Sequence, residues 1–275
     1  MIFICGKYQL NLNRPHVMGI VNITPDSFSD GGKFTSTRLA VEHALQLIAE
    51  GADILDVGGE STRPGATPVG LDEELSRVIP VIQALNKVSS VPISIDTYKP
   101  EVMREAIAAG ADIVNDICAL QESGALEVVA NSNVGLCLMH MQGMPQTMQL
   151  APSYVNVVAE VRQFLVDRLN VALARGIDKN RILLDPGFGF GKTRAHNIAL
   201  IQQLNQLADI GQPLLVGLSR KAVLGAIAGG DERQRLHAGI AASVISAIKG
   251  AKILRVHDVK ATVDALKVVA AVIDE

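Results

Sequence analysis

Eight times along this chain a short run rich in Val, Ile and Leu leads into a helical pattern, and nearly every run ends on polar side chains. The runs cover residues 16–22, 52–59, 92–97, 113–117, 135–141, 181–187, 213–219 and 252–258. Short continuous apolar runs suit strands buried on both faces, as in parallel sheets covered by helices. Amphipathic stretches at 37–50, 72–86, 100–109, 154–174 and 233–249 can supply that cover. Gly51, Gly110, Gly176 and Gly250 each follow a last periodic residue, where a left-handed turn ends a helix. A strand every roughly 20 to 45 residues reads as repeated βα units. Eight units in 275 residues predict an α/β fold, a (β/α)8 TIM barrel spanning 1–275 as one domain. A doubly wound open sheet is the rival architecture. Residues 2–12, with Gly6-Lys7 between two strand-like pieces, are expected to form an N-terminal β-hairpin closing the barrel floor.

The polar ends favour the barrel. They are Asn22, the turn Gly58-Gly59-Glu60-Ser61-Thr62-Arg63, Asp96, Asn115-Asp116, His140, Asp185, Ser219-Arg220-Lys221 and Arg255-Val256-His257-Asp258. Barrel sites form where strands end and loops follow. Buried polar groups without partners cost energy, so core stability does not call for them on nearly every strand. Side chains alternate along a strand, which puts Ile253, Arg255 and His257 on one face. The same test groups Ile113 with Asn115 and Ile117, Leu183 with Asp185, and Gly217 with Ser219. With those faces inward, Asp96, Asn115, Asp185, Lys221 and Arg255 converge on one cavity. Two blander roles compete: Asp185 satisfying the turn before Pro186, and Asp96 capping the next helix. Asp56 and Asp116 are read as partners of neighbouring loops, outside the cavity.

Composition narrows the partners. Hydrophobic residues make up 48% of the chain and charged ones 19%, enough for a sizeable core. A formal net charge of -3 argues against nucleic acid as a partner. Cys5, Cys118 and Cys137 show no metal-ligand spacing and read as small buried hydrophobes in a reducing compartment. Residues 1–14 lack a signal-peptide pattern, and no apolar run reaches membrane-spanning length. A cytoplasmic protein is expected.

The run Asn22-Ile23-Thr24-Pro25-Asp26-Ser27-Phe28-Ser29-Asp30-Gly31-Gly32 closely resembles the first signature loop of the dihydropteroate synthases. Asp56-Val57-Gly58-Gly59-Glu60-Ser61-Thr62-Arg63-Pro64-Gly65 resembles their second. Asp185-Pro186-Gly187-Phe188-Gly189-Phe190-Gly191-Lys192, Ser219-Arg220-Lys221 and Arg255-Val256-His257-Asp258 are similar to further motifs, in family order over the whole barrel. The resemblance implies condensation of 6-hydroxymethyl-7,8-dihydropterin pyrophosphate with 4-aminobenzoate, giving dihydropteroate and pyrophosphate, with Mg2+. It further implies that Asp185 reads the guanine-like pterin edge, with Asn115 beside it. Asp96 would accept from the ring N8–H, Lys221 donate to the ring carbonyl and N5, and Arg255 lie across the ring face. His257 and the start of the last helix would hold the diphosphate, and Asn22 would ligate Mg2+. Asp30 would place negative charge near the cation left when pyrophosphate departs, with Thr62 binding nearby, so that Asp30, Thr62 and Lys221 form the catalytic set.

Phe28, Thr62, Arg63, Pro64, Phe190 and Ser219 match the family positions around 4-aminobenzoate. The first two loops are long and glycine-bearing, as lids are. Ordered binding with the pterin first, competition by sulfonamides, and a homodimer through the last helices are expected from the resemblance. Three readings stay beside it. Pterin-barrel methyltransferases share the fold, a pterin-binding paralogue could lack turnover, and an aldolase could use Lys221 as a Schiff base.

Overall fold

Eight parallel strands close on themselves in the order β10-β3-β4-β5-β6-β7-β8-β9. The structure is a computed structural model and describes residues 1–23, 33–63, 65–231 and 235–273. The strands are β3 (His16–Asn22), β4 (Ile54–Gly58), β5 (Ile93–Asp96), β6 (Ile113–Asp116), β7 (Gly135–Met139), β8 (Ile182–Asp185), β9 (Leu214–Val216) and β10 (Ala251–Val256). All eight expected strands are present, most of them shorter than their apolar runs. The runs overshoot because loop residues such as Leu218 and Ile117 are themselves buried beyond the last ladder bond.

Helices return the chain between strands. They are α1 (Lys33–Ala49), α2 (Leu71–Val88), α3 (Pro100–Ala109), α4 (Ala125–Ala130), α5 (Val157–Ala174), α6 (Arg194–Gln202), α7 (Leu204–Ala208), α8 (Ala222–Ala228), α9 (Leu236–Ile248) and α10 (Val259–Ile273). Local chemistry sets their ends. Pro100 opens α3, where a missing N–H is harmless, and Gly110 closes it at φ 111. Asp72, Glu73 and Glu74 fill the first turn of α2, complementing its dipole. Among the described residues, no helix is long and apolar enough to cross a membrane.

Alternation divides the core in two. Outward residues such as Val17, Val57, Ile95, Val114, Leu138, Leu184, Val216 and Leu254 pack under the helices in the larger cluster. Inward residues at the strand starts form a second cluster: Met18, Ile54, Ile113, Cys137, Leu183, Leu215 and Ile253. The expected hairpin caps that cluster. β1 (Ile2–Cys5) pairs antiparallel with β2 (Tyr8–Asn11) through Ile2↔Asn11 and Cys5↔Tyr8. Phe3, Cys5 and Leu12, each fully buried, enter the inward cluster. A Cβ on Gly135 would stand 2.5 Å from Phe3 Cζ, so the hairpin is seated tightly on β7.

Candidate active site

At the opposite end of the same inward faces, carboxylates meet cations. Arg255 on β10 is the hub. Its Nε donates to Asp56 Oδ2 at 2.6 Å and its Nη2 to Asp96 Oδ2 at 2.6 Å. Asn115 Nδ2 donates to Asp56 Oδ2 at 3.3 Å, tying β6 to β4 and β10. Burial acts against the Arg255 charge, but Asp56 and Asp96 outweigh it and hold the guanidinium above its ordinary pKa. Asp96 is pushed up to about 7, first by burial and then by Asp56, with Arg255 opposing. Asp96 is thus no helix cap: the residue before α3 is Lys99, whose N–H bonds Thr97 Oγ1 at 3.3 Å.

Asp56 belongs to this cavity, which corrects the sequence reading. It shares the inward face of β4 with Ile54, so the alternation test applied to Ile113 and Asn115 would have found it. Asp116, on the other face of β6, does serve its own loop, accepting from the Cys118 and Leu120 N–H groups at 2.7 Å each.

Across the mouth stand Asp185 and Lys221. Asp185 Oδ1 accepts from the Gly187 N–H at 2.7 Å, so the turn role foreseen for it is real, and its second oxygen extends the carboxylate's reach. Burial raises the Asp185 pKa, opposed chiefly by Lys221. Lys221 Nζ donates to the Phe188 carbonyl and lies 4.7 Å from the Phe190 ring centre. Burial lowers the Lys221 pKa to about 8; Asp185 opposes and Arg255 reinforces. A Cβ on Gly217 would lie 3.9 Å from Arg255 Cδ and 4.0 Å from Lys221 Nζ, which sets both cations about one open point. Beside it runs an apolar wall of Ile117, Cys118 and Met139, with Tyr98, Met141 and Phe190 against it. Cys118 therefore borders the cavity, a placement that no motif announced.

A second group forms at the start of α10. Ser219 Oγ lies 3.1 Å from His257 Nδ1 and accepts from the His257 N–H at 3.2 Å. Arg220, at φ 60, donates to Asp258 through Nη2 at 2.7 Å and so pins the turn that aims Lys221. Burial, then Arg255 and Arg220, push the His257 pKa down to about 3, and Arg63 adds to the effect. A neutral imidazole, the N-terminus of α10 and nearby guanidinium groups suit an anion. Ser219 is bonded to His257, so it belongs with this group as much as with the second-substrate set the sequence assigned it to.

Asn22 ends β3 at the rim. A Cβ on Gly58 would stand 3.8 Å from Asn22 Oδ1 and 3.7 Å from Asp96 Oδ2, so the amide oxygen faces the mouth. Among the described residues, no three His, Cys, Asp or Glu side chains gather to hold a metal. Thr62 and Arg63 follow β4, Thr62 half-buried and Arg63 exposed. Phe28, Asp30 and Pro64 lie outside the described residues.

The chain is similar to known proteins over nearly its whole length. The family model for pterin binding enzymes matches residues 18–257. The dihydropteroate synthase of Escherichia coli strain K12 is 52% identical over 263 residues, covering 96% of this chain and 93% of that protein. A solved Xanthomonas albilineans dihydropteroate synthase with 4-aminobenzoic acid superposes with a TM-score of 0.93 at 54% identity, covering 98% of this chain and 97% of that one. A Yersinia pestis dihydropteroate synthase in complex with a sulfonamide drug gives 0.95 at 46% identity, covering both chains fully at 100%.

Proposed function

The chain belongs to the pterin-binding enzymes and, within them, to the dihydropteroate synthases, and from that membership we propose how its own residues carry out the reaction. The enzyme is a transferase that joins 6-hydroxymethyl-7,8-dihydropterin pyrophosphate to 4-aminobenzoate and releases pyrophosphate. The observation that carries the reading is the meeting of Asp185, Asn115, Asp96, Arg255 and Lys221 in one mouth.

A pterin offers an amide N–H beside an amino group, and one carboxylate accepts both. Asp185 is that acceptor, with Asn115 on the neighbouring ring nitrogen. Asp96 takes the N8–H and Lys221 donates to the ring carbonyl and N5. Arg255 is held edge-on by two carboxylates, which leaves a guanidinium face for the flat ring. His257, Ser219 and the α10 amides hold the departing diphosphate. Asn22 would hold a Mg2+ through its hard amide oxygen, and the ion would supply positive charge that offsets the charge of the leaving diphosphate. After departure the cation at the exocyclic carbon meets the neutral aromatic amine, so no strong base is required. Family membership assigns Asp30 and Thr62 to that carbon, and Phe28, Arg63, Pro64 and Phe190 to the amine.

The pterin binds first and the amine second, and sulfonamides compete with the amine. The exposed side chains of Ile245, Ile248, Val268 and Val272 on α9 and α10 support a homodimer through these helices. Residues 1–275 form one barrel unit, and three free buried cysteines suit the reducing cytoplasm. Turnover of the pterin pyrophosphate with labelled 4-aminobenzoate tests the reading. Labelled dihydropteroate from the wild type and none from Asp185→Ala is the expected result. Pterin binding without product would instead indicate a binding paralogue, and tight aminobenzoate binding to the empty enzyme would overturn the order.

A further inference from the structure

Lys192 is 3% exposed, ends the loop that follows β8, and has no part in the reaction as read above. Its Nζ lies 2.8 Å from the Gly187 carbonyl oxygen, 2.9 Å from that of Phe190, 2.9 Å from His140 Nδ1 and 3.3 Å from the His140 carbonyl oxygen. An ammonium has three donors and no acceptor, so all four neighbours accept. His140 then carries its proton on Nε2; burial, with Lys192 reinforcing, pushes its pKa down to about 3 and keeps the ring neutral. Burial also lowers the Lys192 pKa, with Asp185 opposing. Three of the four neighbours are carbonyl oxygens that can only accept, and the three N–H donors of an ammonium match them where the two of a neutral amine do not.

Backbone builds this cage. Gly187, Gly189 and Gly191 sit at φ 66, 81 and 62, coiling the loop so that its carbonyls turn inward. A Cβ on Gly187 would stand 1.8 Å from the His140 carbonyl oxygen, and one on Gly191 2.2 Å from that of Gln142. The loops after β7 and β8 therefore touch backbone to backbone, and the buried carbonyls converging between them need N–H donors. From outside, Asn197 Oδ1 accepts the Gly189 N–H at 2.8 Å and its Nδ2 donates to the Lys192 carbonyl at 3.2 Å. The caged loop starts at Asp185 and carries both Phe190 and the Phe188 carbonyl that takes the Lys221 donation.

We propose that Lys192 is a positioning residue, a tethered cation that clasps the β7 and β8 loops and so fixes Asp185 in the pterin pocket and Phe190 at the adjoining amine site. This rests on the dihydropteroate synthase reading given above. The test is calorimetric binding of the pterin pyrophosphate to full-length wild type, Lys192→Ala and His140→Ala in sodium buffer. Lys192→Ala is expected to bind at least about tenfold more weakly, the effect of losing a charge-assisted bond set. Methylammonium should restore most of that affinity saturably, whereas tetramethylammonium, which has no N–H donors, should restore none. A lysine that merely stabilised the fold would lower the melting temperature without amine-specific recovery. Near-wild-type affinity in Lys192→Ala, or a loss indifferent to methylammonium, overturns the proposal. If Lys192→Ala does not fold, His140→Ala retains the lysine and its three carbonyls. It should bind about threefold more weakly, and unchanged affinity there overturns the clasp. A wild type that binds no pterin overturns the functional reading as well, whereas a binding wild type with an indifferent variant overturns this inference alone.

Discussion

The floor and the mouth of the barrel are made from the same strands and differ by one pleat. On β4 the inward face passes from Ile54 to Asp56, on β6 from Ile113 to Asn115, on β8 from Leu183 to Asp185 and on β10 from Ile253 to Arg255. Two residues of strand rise about 6.6 Å, and over that distance the interior changes from apolar to charged. Below, the hairpin seals a layer of apolar side chains and cysteine, joined on β5 by the buried Ser94. Above, Asp96 is pushed up to about 7 and Lys221 down to about 8 by burial. The contrast teaches that fold stability and chemistry are stacked along one axis. The sealed floor keeps water from reaching the charges from beneath, and its burial of apolar surface offsets what their desolvation costs.

Substitutions two residues apart on one strand give the sharpest test of that division. Asp185→Ala should lower kcat/KM by roughly a thousandfold, since two charge-assisted bonds at about 2 kcal/mol each are lost, while denaturant unfolding shifts by only about 1 kcal/mol for the lost Gly187 bond. Leu183→Ala should do the reverse, costing about 3 kcal/mol of stability in urea titration with kcat/KM kept within about twofold. If the two variants lose activity and stability in the same proportion, floor and mouth are not separable. Gly135→Ala presses a methyl against Phe3 and Cys5 and should cost about 2 kcal/mol, again without a change in KM.

The smallest effect expected is a pH limb. Lys221 acts as a donor, so kcat/KM should fall as pH rises through about 8, by about tenfold for each unit beyond it. Lys221→Met should lack that limb. For stability the same shift has the opposite sense. The folded pKa lies below the ordinary lysine value of about 10.4, so the buried charge burdens the fold below about pH 8. That burden lifts between the two values. A kcat/KM profile flat from pH 7 to about 9 would separate Lys221 from the chemistry.

The barrel was legible in the sequence because each strand had to be apolar on both faces and each ended in polar residues. Strand ends were not, since Leu218 and Ile117 stay buried after the ladder stops. Most of the charged cavity was legible from alternation alone, as Asn115, Asp185 and Arg255 show. Asp56 was missed because its motif drew attention to the loop beyond it rather than to its place beneath Arg255. The Lys192 cage was hidden for a different reason. Its acceptors are mainly backbone carbonyls, and their convergence depends on three left-handed glycines and on contact with a loop nearly fifty residues away.

The double anchoring of Arg255 has a consequence for what can enter. Its Nε and Nη2 are already engaged with Asp56 and Asp96, so the side chain gives up little torsional freedom when a guest arrives. The guanidinium works as a fixed wall rather than a grasping hand, and the slot beside it has a set thickness. Near-planar rings, the dihydropterin with its one ring methylene among them, should pass beside that wall, and rings carrying bulky out-of-plane substituents should be turned away.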